Sequence, residues 1–155
     1  MSLSQALFVQ ALKSTLDKAG HDLAVAQTPD ILYVDLDDVA QSSVLFAGES
    51  NAIVLGSLLL NEHPKDPLYS ISFQMGARTV TDPSNYQMMD LVGQVNTLFD
   101  KGSVVPIFQF ATAGSVGAQA GYFLVTDISV GDHMFEKMSG IRLLTIQGRA
   151  VRFHG

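Results

Sequence analysis

The feature that most limits what this chain can become is a strict two-residue alternation that gives way at once to a helical period. From Leu68 to Ala77, Tyr69, Ile71, Phe73, Met75 and Ala77 fall on one side, and Ser70, Ser72, Gln74 and Gly76 on the other. Such a strand buries one face and leaves the second in water or against a neighbour. After Thr81-Asp82-Pro83-Ser84, the residues Met88, Leu91, Val92, Val95, Leu98 and Phe99 recur at the three-and-four spacing of a helix lying on a core. Asp82 before Pro83, or Ser84 with Gln87 three residues on, would cap its start, and Gly102 would end it. Val104 to Phe108 then reads as a returning strand. A strand, a helix and a strand joined this tightly predict a sheet with a helix across one face.

The remaining chain fits around that unit. Ser2 to Ala19 predicts a first helix with Leu3, Leu7, Leu12 and Leu16 near one face and Gly20 as its stop. Ile31 to Leu36 is a short strand. Ser43 to Ala47 and Ala52 to Leu60 read as two more, with 48–51 a hairpin turn between them, and Asn61 to Pro67, with two prolines, as loop. Ala111 to Gly121 is almost wholly Ala, Gly, Ser, Thr and Gln, which predicts a flexible loop or a hairpin arm. Tyr122 to Val130 is a strand, Gly131 to Gly140 a loop with about one helical turn, and Ile141 to Phe153 a last strand interrupted by Gly148. These elements predict an α+β fold in a single domain spanning 1–155, a mainly antiparallel sheet packed against two amphipathic helices.

Composition narrows the function classes. At 155 residues the chain has room for one proper core. It has no apolar run of the length needed to cross a membrane and no basic, cleavable leader, so an intracellular protein without a membrane partner is expected. The absence of cysteine excludes disulfides, thiolate zinc sites and thiol catalysis. Only 15% of residues are charged, against roughly 25% in ordinary globular chains. That deficit points either to surface covered by other subunits or to a surface rich in Ser, Thr, Gln and Asn. The net charge is −6, with −8 on residues 1–100 and +2 on 101–155. Such asymmetry suits head-to-tail packing of copies and speaks against a nucleic-acid reader, which carries a basic patch.

Candidate chemistry is sparse. Ile31-Leu32-Tyr33-Val34-Asp35-Leu36-Asp37-Asp38-Val39 resembles the first motif of haloacid-dehalogenase-type phosphatases, an apolar strand ending in Asp-x-Asp. That resemblance implies Asp35 as nucleophile and Asp37 as acid and base beside a Mg²⁺. Ser57 would stand for the second motif, and Gly131-Asp132 with Glu136 for the fourth. No helix leads to a lysine of the third, and alternating helices of a doubly wound sheet are missing. The plain reading is a strand running into an acidic, solvated turn. Ala113-Gly114-Ser115-Val116-Gly117 approaches a nucleophile elbow but runs into a strand where the elbow needs a helix. His21, His63, His133 and His154 have no metal spacing among them, so no cofactor or metal is expected. Arg142, Arg149 and Arg152 on the last strand either meet the acidic Asp35, Asp37 and Asp38 of a neighbouring copy, or are charges that keep an edge strand from aggregating.

The order of elements is similar to that of the tail terminator and tail-completion proteins of long-tailed bacteriophages and prophages. The segments that carry the likeness are Leu68 to Phe73, Asp82 to Gly102, Phe123 to Ile128 and Ser139 to Leu144. The resemblance implies a non-enzymatic α+β virion protein, assembled in the bacterial cytoplasm. It would form a hexameric ring at the head-proximal end of the tail tube, against tail-tube and head-completion proteins. DNA would pass through its lumen without specific binding, which an acidic chain favours.

Overall fold

In the computed structural model, residues 4–38, 51–62, 68–112, 115–136 and 139–153 are described. Helix α1 spans Gln5–Val25 and is followed by strands β1 (Leu32–Asp35), β2 (Ala52–Glu62) and β3 (Leu68–Thr79). Helix α2 (Tyr86–Leu98) comes next, then β4 (Val104–Phe108), β5 (Gln119–Glu136) and β6 (Ser139–Arg152). The six strands form one sheet in the order β1-β2-β3-β6-β5-β4. The α+β expectation holds, with one correction: β1 runs parallel to β2, so the sheet is mixed, while the other four pairings are antiparallel. A parallel neighbour requires a crossover between the strands, which a short apolar run such as Leu32–Asp35 does not reveal by itself.

The inner face of the sheet is written by alternation. Ile71, Phe73, Met75 and Ala77 of β3 are buried, and β6 sets Leu144, Ile146 and Ala150 beside them. Phe73 is central: its ring meets Phe99 edge-on with centroids 5.2 Å apart and Phe123 at 5.7 Å, geometries that add to plain area burial. Helix α2 closes part of this face with Met88, Leu91 and Val95 of the expected stripe, and Phe99 just past its end is buried too, whereas Leu98 of that stripe is exposed. Asn85 occupies its N-cap with φ 58° and makes no side-chain cap. Asp82, buried, reaches past it to accept from the amides of Met88 (3.0 Å) and Gln87 (3.4 Å). A carboxylate there meets both unpaired N–H groups and the positive end of the helix dipole.

Helix α1 begins at Ser4, whose hydroxyl accepts from Leu7 N at 3.3 Å. It buries Phe8, Ala11, Leu12, Thr15 and Leu16, while Leu7, placed on the apolar face by its sequence spacing, is exposed. Within one turn α1 touches both edges of the sheet. Lys13 Nζ lies 2.5 Å from Asp35 Oδ2 of β1, and Thr15 Oγ1 accepts from Phe108 N of β4 at 3.0 Å. A flat six-stranded sheet is about 24 Å wide at ~4.8 Å per strand, and a helix only about 10 Å across. The sheet therefore curls around α1, helped by bulges at Leu55/Leu58, Ile107/Phe108, Val125/Asp127 and Val130/His133.

Several boundaries differ from expectation. Gly20 does not stop α1; it is buried mid-helix, where a Cβ would come 2.4 Å from the Tyr33 ring. Residues 131–136 and 139–140 are strand, not loop with a helical turn, and Asn61 and Glu62 extend β2. Gly148 continues β6 without interruption, opposite Val125 and Ile71. The strand and turn expected over 43–50 lie outside the described residues. So do residues 113 and 114 of the Ala- and Gly-rich stretch, whose flanks form the β4–β5 connection, with Thr112 bridged to Ser115.

Candidate functional site

The acidic motif is split by the end of β1. Asp35 is buried, and both its oxygens are engaged: Oδ2 by Lys13 at 2.5 Å and Oδ1 by the amide of Asp37 at 3.0 Å, the latter closing a local turn. Asp37 and Asp38 stand beyond it, exposed. On α1, Asp17 lies 3.7 Å from Lys13 and accepts from the Tyr33 hydroxyl. Burial raises the Asp17 carboxyl above its ordinary range, and the Tyr33 hydroxyl and Lys13 oppose that rise. Burial, with the Asp17 carboxylate beside it, keeps the Tyr33 phenol protonated well above the ordinary tyrosine range. His21 meets the Tyr33 ring edge-on at 6.5 Å. The group therefore ties an edge strand to a helix through one cation shared by two carboxylates.

Asp35, the nucleophile that the phosphatase resemblance implies, carries a bond within the chain on each oxygen. Among the described residues no three His, Asp or Glu side chains gather at ligand distance. Ser57 is exposed on β2, and Gly131, Asp132 and Glu136 belong to β5. His133 pairs in register with Arg142, while His63 and His154 fall outside the described residues.

The three arginines do not share a surface. Register places Arg142 opposite Ala77 and Arg152 opposite Gly121, in rows with the core positions, while Arg149 sits between Ser70 and Leu124 on the outer face. Arg142 donates from Nε to Gly131 O at 3.3 Å. Arg149 is exposed, and the ion pairs among the described residues, all involving α1, do not include it.

The larger exposed features are apolar. At one end of the outer face Val34, Ala52 and Val54 are buried against Leu36, Ile141 and Leu143. Toward the other end Leu59 is 66% exposed and Val104 60%. A shallow groove of about 360 Å³ runs there, lined by Leu59, Ser70, Ser72, Thr126, Gln147 and Arg149. On the inner side of the sheet, the outward face of α2 carries Tyr86, 73% exposed, and Met89, 62% exposed. A third apolar surface lies at the corner of α1 and β4, where Leu7 and Phe110 flank a groove of about 220 Å³. The helical stripe read from the sequence singled out the buried side of α2 and passed over the exposed one. The available signal was Tyr86 and Met89 themselves, large apolar residues lying off that stripe.

No family model matches the chain, and no curated protein is similar to it. Five solved chains match its fold. One of them, which carries no functional description, covers 99% of this chain and 99% of its own at 16% identity, with a TM-score of 0.57. The likeness is one of fold.

Proposed function

We propose that this chain is a structural subunit of a phage or prophage tail, a ring-forming protein of the tail-terminator type. The observation that carries the reading is the uncovered end of the sheet's outer face. Leu59 and Val104 project there from strands whose inner faces are already full, so the sheet offers a second, separate packing surface. The two stand on strands separated by β3, β6 and β5, with polar residues such as Ser72, Gln147 and Arg149 between them. Leu59 and Val104 accompany a charged fraction of 15%, low for a chain of this size. The acidic balance fits a lumen through which DNA slides without being held. Tail-tube and head-completion proteins are the partners this reading implies, and the virion is its location. Light scattering at micromolar concentration is expected to give one discrete oligomer, of six subunits. A strict monomer at every concentration, salt and pH would sink the proposal.

The hydrolase reading draws on a different observation. Asp35 stands at the C-terminal end of β1, the strand paired in parallel, and ligand sites of parallel sheets favour strand C-termini. Its engaged oxygens fit Mg²⁺ poorly, so the ring reading is preferred. Hydrolysis of a generic phosphate ester with Mg²⁺, lost in Asp35→Asn, would reverse that preference.

A further inference from the structure

We propose that copies of this chain dock head to tail, with the outward face of α2 seated on the uncovered outer face of the neighbour's sheet. The inference rests on the ring reading above and names the surfaces that would build it.

The helix supplies the first half of the argument. Opposite its buried residues, α2 presents Tyr86, Met89, Gly93 and Thr97 on one exposed stripe. A Cβ built on Gly93 meets nothing within 4 Å. Glycine inside a helix is disfavoured relative to alanine, and no neighbour within the described chain requires it. What glycine provides is close approach of another backbone. Met89 and Tyr86 on the same stripe give that approach an apolar anchor, of the kind that dominates interface energetics.

The sheet supplies the second half. Helix α2 packs on the inner face, on β3 and β6, so its outward side and the outer face of the same strands point in opposite directions. Two unlike surfaces set back to back make a heterologous contact, which propagates from copy to copy and closes into a ring when the rotation allows. The groove is shallow, with Ser70, Ser72 and Thr126 between the longer side chains of Leu59, Gln147 and Arg149, and the middle of the helix stripe lacks a Cβ. Charge points to the same occupant. Asp90, beside Met89, accepts from Gln94 at 2.9 Å. Neither Asp90 nor Arg149 at the groove takes part in an ion pair among the described residues. One acid on the helix and one base on the sheet would fix the register of the docked pair.

Since the chain contains no cysteine, Met89→Cys and Leu59→Cys can each be introduced as single reactive thiols and joined by a short bis-maleimide. A mixture of the two variants is expected to yield a covalent dimer that neither yields alone, and the double variant a ladder of higher species. Dimers from Met89→Cys alone would indicate symmetric α2-to-α2 pairing and overturn the proposal. So would the absence of cross-links in a protein that light scattering shows to be oligomeric, which leaves the ring reading standing. A monomer by light scattering removes both. Independently, Asp90→Lys and Arg149→Glu should each raise the concentration for half-assembly by roughly tenfold, and the double variant should recover most of that loss. No recovery in the pair would refute the register. Both positions are exposed, so unchanged far-ultraviolet circular dichroism verifies that the variants fold.

Discussion

Replacing Thr15 by valine tests how the sheet is held in its curl. Thr15 is 7% exposed on α1, and its hydroxyl accepts from Phe108 N at 3.0 Å while donating to Ala11 O at 2.8 Å. Valine keeps nearly the same volume and removes both bonds. The lost donation matters little, because Ala11 O still accepts within the helix. The lost acceptor matters more: Phe108 N sits beside the Ile107/Phe108 irregularity, where β4 departs from regular pairing with β5. A neutral hydrogen bond contributes about 1 kcal/mol net, and a partly buried donor left without a partner costs about 1–3 kcal/mol. Since Phe108 is only half-buried, the lower part of that range applies, and Thr15→Val should cost roughly 1–2.5 kcal/mol. For a chain of this length that lowers Tm by roughly 3–8 °C. Urea unfolding at one fixed protein concentration should show a lower midpoint with an unchanged slope, because no extra surface is exposed. Amide exchange at Phe108 should quicken at least tenfold while Ile107 keeps its protection. A variant within ~0.5 kcal/mol of the parent, with Phe108 protection intact, would show that the hydroxyl is not what holds β4 against the helix.

Two glycines should respond oppositely to alanine. At Gly148 the new Cβ would fall 2.2 Å from Leu124 O and 2.5 Å from the Phe123 ring, so Gly148→Ala should cost about 1–3 kcal/mol. Gly93→Ala, entering open space, should stabilise the dissociated subunit by about 0.5–1 kcal/mol. Equal urea midpoints for the two would contradict both assignments. Loss of the α2 cap in Asp82→Ala should cost about 1–2 kcal/mol, seen as an earlier thermal transition; an unshifted transition would mean that solvent replaces the carboxylate. For Asp17 the sign follows from burial, which raises its carboxyl in the fold above the ordinary 3.8. The fold then binds that proton more tightly than the unfolded chain, so the contribution is complete below 3.8 and is lost as pH rises through the folded value. Between pH 4 and 7 the parent should lose stability relative to Asp17→Asn; a pH-independent difference between them would refute the assignment.

What could be read in the sequence followed from periodicity, and what could not followed from contacts distant along the chain. Val104–Phe108, the inward set on β3 and the buried stripe of α2 were all legible, because two- and 3.6-residue periods report burial directly. Three glycines misled for a shared reason. Gly20, Gly131 and Gly148 resemble punctuation, yet Gly20 makes room for Tyr33, Gly131 for the Leu143 carbonyl and Gly148 for the Phe123 ring and Leu124 carbonyl. Glycine marks both turns and close approach, and one sequence does not separate them. Asp35 is the counterpart at the candidate site. Its motif invited chemistry, but its partner Lys13 lies 22 residues earlier, a separation no local spacing rule connects. The exposed stripe of α2 was visible as residues and became meaningful only once the sheet's uncovered face lay on the opposite side.

The clasp between α1 and both sheet edges also sets an order on synthesis. Helix α1 leaves the ribosome before the sheet, and the β4 amide that Thr15 accepts from lies 93 residues later. At roughly 5–20 residues per second that is a wait of roughly 5–20 s, during which the side of α1 that meets β4 lacks its partner. Until β5 and β6 follow, the growing chain presents a greasy helix beside an incomplete sheet, and for that interval it is a natural client for a chaperone.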